Sequence, residues 1–274
     1  MRINITQIKE MKQKGEKIAM HTAYDYSTAK IVDVAGLPLI LVGDSLGMVV
    51  LGYETPIPVT LDVMIHHTKA VVRGTSQALI VGDLPFMTYH ISIEDALRSS
   101  ARFVQEAGCQ AVKLEGGVTV TEKVRRIVQC GIPVMGHIGL TPQSVNQLGG
   151  WRVQGKTPEA ASQLLKDALA LEEAGAFSIV LEQVPTPLAT LITKKLSIPT
   201  IGIGAGNGCD GQVLVINDVF GLSDRVPKLA KQYAGIGESM RKAVSEYLND
   251  VKSGTFPTEK NSFTMDESIL ADLK

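Results

Sequence analysis

Short runs rich in aliphatic and β-branched residues recur along this chain, separated by longer stretches in which apolar and charged positions alternate at helical spacing. Eight runs stand out: Ile18–Thr22, Leu39–Val42, Leu79–Gly82, Ala111–Leu114, Val134–His137, Ser178–Leu181, Thr200–Ile203 and Gln212–Val215. Glycine repeatedly marks the step from helix to strand, in Val34-Ala35-Gly36, Glu106-Ala107-Gly108, Gln129-Cys130-Gly131 and Glu173-Ala174-Gly175. A glycine just past a helix end adopts the left-handed conformation that other residues resist. The runs that follow are apolar at successive positions, the pattern of parallel strands covered on both faces. Helices read best over Ser92–Ala107, Glu159–Ala174, Leu188–Leu196 and Glu238–Lys252, the first with Ser92 and Asp95 in a capping arrangement.

Eight strands alternating with helices predict a (β/α)8 TIM barrel of the α/β class, one domain over residues 1–274. No Pro/Ser-rich linker divides it. The stretch Asn217-Asp218-Val219-Phe220-Gly221 shows no clear helix, and none follows until Glu238, so an open sheet is the alternative to closure. Residues 254–274 read as a polar tail lying loosely on the surface.

Hydrophobic residues make up 45% of 274, enough for a large core. The formal charge of −1, from 27 basic and 28 acidic residues, gives no pull toward nucleic acid or an anionic membrane. No apolar run is long enough to span a bilayer and the first residues lack a signal-peptide core, so a soluble, cytoplasmic protein is expected. Cys109, Cys130 and Cys209 form no CxxC, which argues against a disulfide framework or a zinc site. Cys109 and Cys130 sit beside glycines near helix ends, where a small buried side chain fits.

In a parallel barrel the carboxyl ends of the strands share one face, so polar residues there converge although far apart in sequence. Asp44, Asp83 and Glu115 follow or end neighbouring strands. Crowded in one cavity they repel, and Mg²⁺ relieves the conflict; separate caps on backbone N–H groups are the plainer reading. Lys113, inside an apolar run, needs an anion: a substrate carboxylate or a neighbouring acid, with Schiff-base chemistry a further option. His137 ends the fifth run and serves either proton transfer or positioning. Glu182 ends the sixth and is placed to act as a general base, or else as another ligand or ion-pair partner. The glycine run 202–208 reads as a tight turn or close approach to a ligand rather than a dinucleotide fingerprint. Two long connections, 47–58 and 141–157, suit binding walls, the second bringing Trp151 and Arg152.

Several ungapped segments occur together and in order: Thr22-Ala23-Tyr24-Asp25-Tyr26-Ser27, Leu41-Val42-Gly43-Asp44-Ser45-Leu46-Gly47-Met48, Asp83-Leu84-Pro85-Phe86-Met87, Val112-Lys113-Leu114-Glu115-Gly116-Gly117, Gly136-His137-Ile138-Gly139-Leu140-Thr141-Pro142-Gln143-Ser144 and Ile201-Gly202-Ile203-Gly204-Ala205-Gly206. From about Ile18 to Phe256 the chain resembles the ketopantoate hydroxymethyltransferase family. The resemblance implies transfer of a hydroxymethyl unit from 5,10-methylenetetrahydrofolate to the keto acid 2-oxoisovalerate, giving ketopantoate for pantothenate and coenzyme A. It implies Asp44, Asp83 and Glu115 as Mg²⁺ ligands, Asp44, Ser45, Asp83 and Lys113 as substrate-binding residues, Glu182 as proton acceptor, and a homo-oligomer such as a decamer. One rival is a keto-acid carbon–carbon lyase or mutase of the isocitrate lyase and phosphoenolpyruvate mutase type, which would need no folate. The Lys-Lys-Cys-Gly-His loop of isocitrate lyases does not occur here. A non-catalytic metal-binding barrel is the other rival, and intact acids at so many strand ends argue against it.

Overall fold

A computed structural model of the chain describes residues 2–273. Helix α1 (Ile5–Gln13) opens it, its N-terminus capped by Asn4 with Gln7 reaching back to the Asn4 N–H. Then come β1 (Ile18–Thr22), α2 (Tyr26–Val34), β2 (Leu39–Val42), the short α3 (Leu46–Val49), α4 (Leu61–Gly74) and β3 (Leu79–Asp83). Helix α5 (Ile93–Arg102), β4 (Ala111–Glu115), α6 (Thr121–Gln129), β5 (Val134–Gly139), α7 (Pro158–Glu173) and β6 (Ser178–Glu182) follow. The chain continues through α8 (Thr186–Lys195), β7 (Thr200–Ile203), β8 (Gly211–Leu214), α9 (Ile216–Phe220) and α10 (Ile236–Ser253).

The strands pair in sequence order, and β8 returns to pair in parallel with β1, so the barrel is closed and the open-sheet alternative is excluded. Four strand ends differ from the sequence reading by extension: β3, β4, β5 and β6 run on to Asp83, Glu115, Gly139 and Glu182, and β8 is shifted one residue earlier, to Gly211–Leu214. Asp83, Glu115 and Glu182 at the mouth are thus members of the sheet itself.

Side chains alternate along each strand between two cores. Leu39, Leu41, Leu79, Val81, Ala111, Met135, Val180 and Val213 point inward and meet Ile8 of α1, which closes the amino-terminal end of the barrel. Ile40, Val42, Ile80, Val112, Leu114, Ile179 and Leu181 point outward into the layer under the helices. The predicted helix 92–107 is α5 continued by a π turn, Phe103–Ala107, ending at Gly108 in the left-handed conformation. Ser92 caps α5, accepting from the Asp95 N–H at 3.0 Å. Phe103 lies against Gly82, where a β-carbon would overlap its ring, so β3 needs glycine one residue before Asp83.

Two regions depart from full coverage. Strands β1 and β8 leave Ala19 and Gln212 exposed on their outer faces. Helix α10 buries none of its residues, and Ile236, Met240, Val244, Tyr247, Leu248 and Val251 form one exposed apolar stripe along it. The stretch after β8 does carry a helix, α9, too short to show a periodic pattern. Cys109 is buried as expected, its thiol pushed up to about 12 by burial, but Cys130 is exposed because it falls on the outer end of α6.

Candidate active site

Register builds the site. Inward positions repeat every second residue, so Val81 is followed by Asp83, Ala111 by Lys113 and Glu115, Met135 by His137, and Val180 by Glu182. Pairing then sets Asp83 beside Lys113 and Glu115 beside His137. Asp44 and Ser45 join them from the turn after β2. All seven residues singled out in the sequence, Asp44, Ser45, Asp83, Lys113, Glu115, His137 and Glu182, line one cavity of about 700 Å³ at the carboxyl ends of the strands.

Lys113 Nζ donates to Asp83 Oδ1 at 2.7 Å and lies 3.8 Å from Glu115 Oε1. Burial pushes its pKa down, but the acids around it outweigh this and raise it, so the amine is held as a cation. That disfavours Schiff-base chemistry, which needs the neutral amine. Asp83 Oδ2 accepts the Asp44 N–H at 3.2 Å. Asp44 itself is held well above the usual carboxylate range by burial and by the Asp83 charge. Asp83 is raised by burial too, with Lys113 opposing.

His137 stands between two acids, Nδ1 at 3.3 Å from Glu115 Oε1 and Nε2 at 3.2 Å from Glu182 Oε2. Neither contact is well directed, and Glu115 Oε1 and both ring nitrogens have no aligned hydrogen bond. Burial and the Lys113 charge push the imidazole down, yet the flanking carboxylates bring it up to about 9. Glu115 is below its ordinary range despite burial, because His137 and Lys113 favour its charged form.

Residues outside the predicted set hold these acids in place. Gln143 Nε2 donates to Asp44 Oδ2 at 2.8 Å and to the Leu84 carbonyl at 2.9 Å. Its backbone N–H donates to Glu115 Oε2 at 3.0 Å, and its Oε1 accepts from Tyr89 Oη at 2.7 Å. The Glu115 N–H in turn donates to Tyr89 Oη at 3.1 Å. Tyr24 Oη and Ser45 Oγ are bonded at 2.9 Å. Gln183, directly after Glu182, has φ 47°, a strained value for a residue with a β-carbon.

Both long connections reach the cavity: Met48, Val49 and Pro56 from one, Pro142 and Trp151 from the other, while Arg152 is not among its lining. The glycine run 202–208 packs against α8. A β-carbon at Gly206 would overlap Thr186 and one at Gly208 would overlap Thr190, so the close approach here is to helix α8 of the barrel itself.

Among the described residues no three Asp, Glu, His or Cys side chains are arranged as a ready-made metal centre. The donors nonetheless fit a hard divalent cation. They are carboxylate oxygens, buried, with three acids facing Lys113 and, beside Glu115, His137; Asp44 is driven toward protonation and Glu115 Oε1 has no aligned hydrogen bond. Mg²⁺ takes one or two carboxylates and completes its shell with water and substrate oxygens, so a three-way convergence is not required.

The sequence profile of the ketopantoate hydroxymethyltransferase family matches residues 2–259. The chain belongs to this family. It is 63% identical to a 3-methyl-2-oxobutanoate hydroxymethyltransferase of Dehalococcoides mccartyi (strain CBDB1), over 100% of this chain and 99% of that one. It is 57% identical to a protein of the same name from Clostridium botulinum (strain Langeland), over the whole of both chains. As a member of the ketopantoate hydroxymethyltransferase family it is an enzyme, a one-carbon transferase. The barrel also resembles a phosphonopyruvate hydrolase solved with oxalate and Mg²⁺ (TM-score 0.62, 11% identity, 98% of this chain and 94% of that one). It resembles a 2,3-dimethylmalate lyase of the PEP mutase/isocitrate lyase superfamily as well (TM-score 0.57, 16% identity, 100% and 99%). At such identities these two likenesses speak for the fold alone. No helix among the described residues is long and apolar enough to cross a membrane.

Proposed function

We propose that the cavity binds 3-methyl-2-oxobutanoate (2-oxoisovalerate) and adds to it a hydroxymethyl group drawn from 5,10-methylenetetrahydrofolate. The product is ketopantoate, on the route to pantothenate and coenzyme A, made in the cytoplasm. The observation that carries this reading is the convergence of an under-neutralised acid cluster and a separate acid, Glu182, on one cavity. It stands in a chain 63% identical to a named hydroxymethyltransferase.

Asp44, Asp83 and Glu115 are the residues that would hold Mg²⁺, which when bound supplies Lewis-acid stabilisation of negative charge on the keto acid's oxygens. Lys113 and Ser45 take the substrate carboxylate, Lys113 as a fixed cation and Ser45 with its hydroxyl oriented by Tyr24. Asp44 and Asp83 border the same substrate end. Glu182 removes the proton from C3, and the C–H electrons move into the C2–C3 bond to give the enolate. His137, charged and 3.2 Å from Glu182, positions that carboxylate and is not itself the base. The C2–C3 π electrons then form the bond from C3 to the folate methylene carbon, whose bonds to N5 and N10 break, the two nitrogens taking one proton from Glu182 and one from water. Water supplies the hydroxyl oxygen, and tetrahydrofolate leaves. Holding both reactants in line contributes on the order of several kcal/mol.

The enzyme works as a homo-oligomer, a decamer in the family it resembles. Supporting this are the exposed apolar stripe of α10 and the bare outer faces of β1 and β8, which a second copy would cover.

Proton NMR of 3-methyl-2-oxobutanoate in D₂O tests the reading. With Mg²⁺ the C3 proton signal disappears, with EDTA it persists, and ketopantoate forms only when 5,10-methylenetetrahydrofolate is added. A folded, Mg²⁺-loaded enzyme giving neither exchange nor product would overturn it. Cleavage of a keto acid without folate would move the enzyme to the lyase and mutase class.

A further inference from the structure

Asp218 is a buried acid that the chemistry above leaves without a task. It sits on α9 and lines the cavity, 8% exposed. One oxygen, Oδ1, accepts from Ser223 Oγ at 2.7 Å. Among the described residues no cationic side chain forms an ion pair with it, and burial raises its pKa, with the Ser223 bond opposing. A buried carboxylate lacking a cationic partner is costly unless a ligand completes it. Each carboxylate oxygen accepts two hydrogen bonds, so Asp218, a cavity-lining residue whose side chain accepts one bond among the described residues, has acceptor capacity left for a ligand.

Past α9 the chain turns back along the rim, and Arg225 and Lys228 line the same cavity with exposed side chains. Leu229 of this segment packs against Gly204, fixing the rim to the end of β7. The post-β8 segment thus offers a buried acceptor at one end and two exposed cations at the other. A five-carbon keto acid needs neither in addition to Lys113 and Ser45, and a cavity of about 700 Å³ holds a second, larger molecule.

We propose that Asp218 reads the pterin ring of the folate co-substrate, its carboxylate accepting the paired N–H donors on the 2-amino-4-oxopyrimidine edge, with Arg225 and Lys228 facing the anionic glutamate tail. The inference rests on the folate reading above and deepens it. A carboxylate matches two parallel donors in one plane, the geometry that makes such pairs specific. The opposite ends of the segment then orient the ligand: ring inside, tail toward solvent.

The test compares wild type, Asp218→Asn and Ser223→Ala in two assays: C3 deuterium exchange without folate, and product formation as 5,10-methylenetetrahydrofolate is titrated. Asparagine keeps the shape and can still accept from Ser223, but replaces one acceptor oxygen with a donor. The expected result for Asp218→Asn is a folate KM raised about ten- to a hundredfold, the range a hydrogen-bonded charge contributes, with the loss confined to the folate-dependent step. Ser223→Ala keeps the carboxylate and should hold a folate KM within about threefold of wild type. An unchanged folate KM in Asp218→Asn overturns the proposal. So does equal loss of exchange and transfer in Asp218→Asn, or a Ser223→Ala enzyme as impaired as Asp218→Asn, since either assigns the acid to the frame of the barrel. If wild type exchanges the C3 proton but makes no product from folate, the folate reading itself fails, and Asp218 with it.

Discussion

Two buried aspartates, Asp33 and Asp44, are 3% and 4% exposed, and the protein treats them in opposite ways. Asp33, on α2, accepts the backbone N–H groups of Ser76, Gln77 and Ala78 at 2.7, 3.1 and 2.8 Å, fastening the turn that leads into β3. Burial disfavours its charge, but those donors outweigh burial and hold its carboxyl below the ordinary range. Asp44 has one amide donor, from Gln143, and two like charges nearby, and its carboxyl is held well above that range. An acid that serves the fold is satisfied by the fold. An acid left short of partners, as Asp44 is, suits a cation or substrate instead.

The largest effect belongs to Glu182, the acid proposed to take the C3 proton. Glu182→Gln should lower C3 proton exchange by about 10²- to 10⁴-fold while Mg²⁺ and keto-acid binding persist, as followed by NMR and calorimetry. Near-normal exchange would mean that the base is another group.

Next comes the satisfied acid. Asp33→Ala orphans three backbone N–H groups and should cost on the order of 2–3 kcal/mol in denaturant unfolding. Because the folded pKa is depressed, this contribution is complete above the unfolded value of about 4 and is lost as pH falls through the lower folded value. The gap between wild type and variant should therefore narrow below about pH 4.

The smallest effect has the opposite sign. In EDTA, Asp44→Asn should stabilise the protein by about 1–2 kcal/mol near neutral pH, since it removes a buried charge that its neighbours repel. With a raised folded pKa, that advantage is present at neutral pH and vanishes as acid protonates Asp44 in both states, below about pH 4. A destabilised Asp44→Asn would place Asp44 with Asp33, among the residues that serve the fold.

Much of this was legible in the sequence, for physical reasons. Strands buried on both faces leave unbroken apolar runs, and glycines mark the helix ends, so the barrel and its order could be read directly. The acids stood out because charged residues abutting apolar strands conflict with burial, and the cavity gathers every one of those named. Their contacts were less visible. Gln143 joins Asp44, Glu115 and Tyr89 from a loop, and a neutral amide there carries no sequence signal beyond its motif. Asp218 lies on a five-residue helix, too short for a periodic pattern to expose its buried face. The exposed stripe of α10 and the exposed outer positions of β1 and β8 read in the sequence as an ordinary amphipathic helix and ordinary strands, because local periodicity does not show which faces the rest of the chain leaves bare.

Magnesium titration by calorimetry, on wild type and on folded Asp44→Asn with 3-methyl-2-oxobutanoate present, tests most directly whether the mouth acids are held for a cation. Saturable Mg²⁺ binding by wild type, weakened at least about tenfold in Asp44→Asn, is the expected result. Equal binding by the two proteins, or none by a folded wild type, would contradict the account.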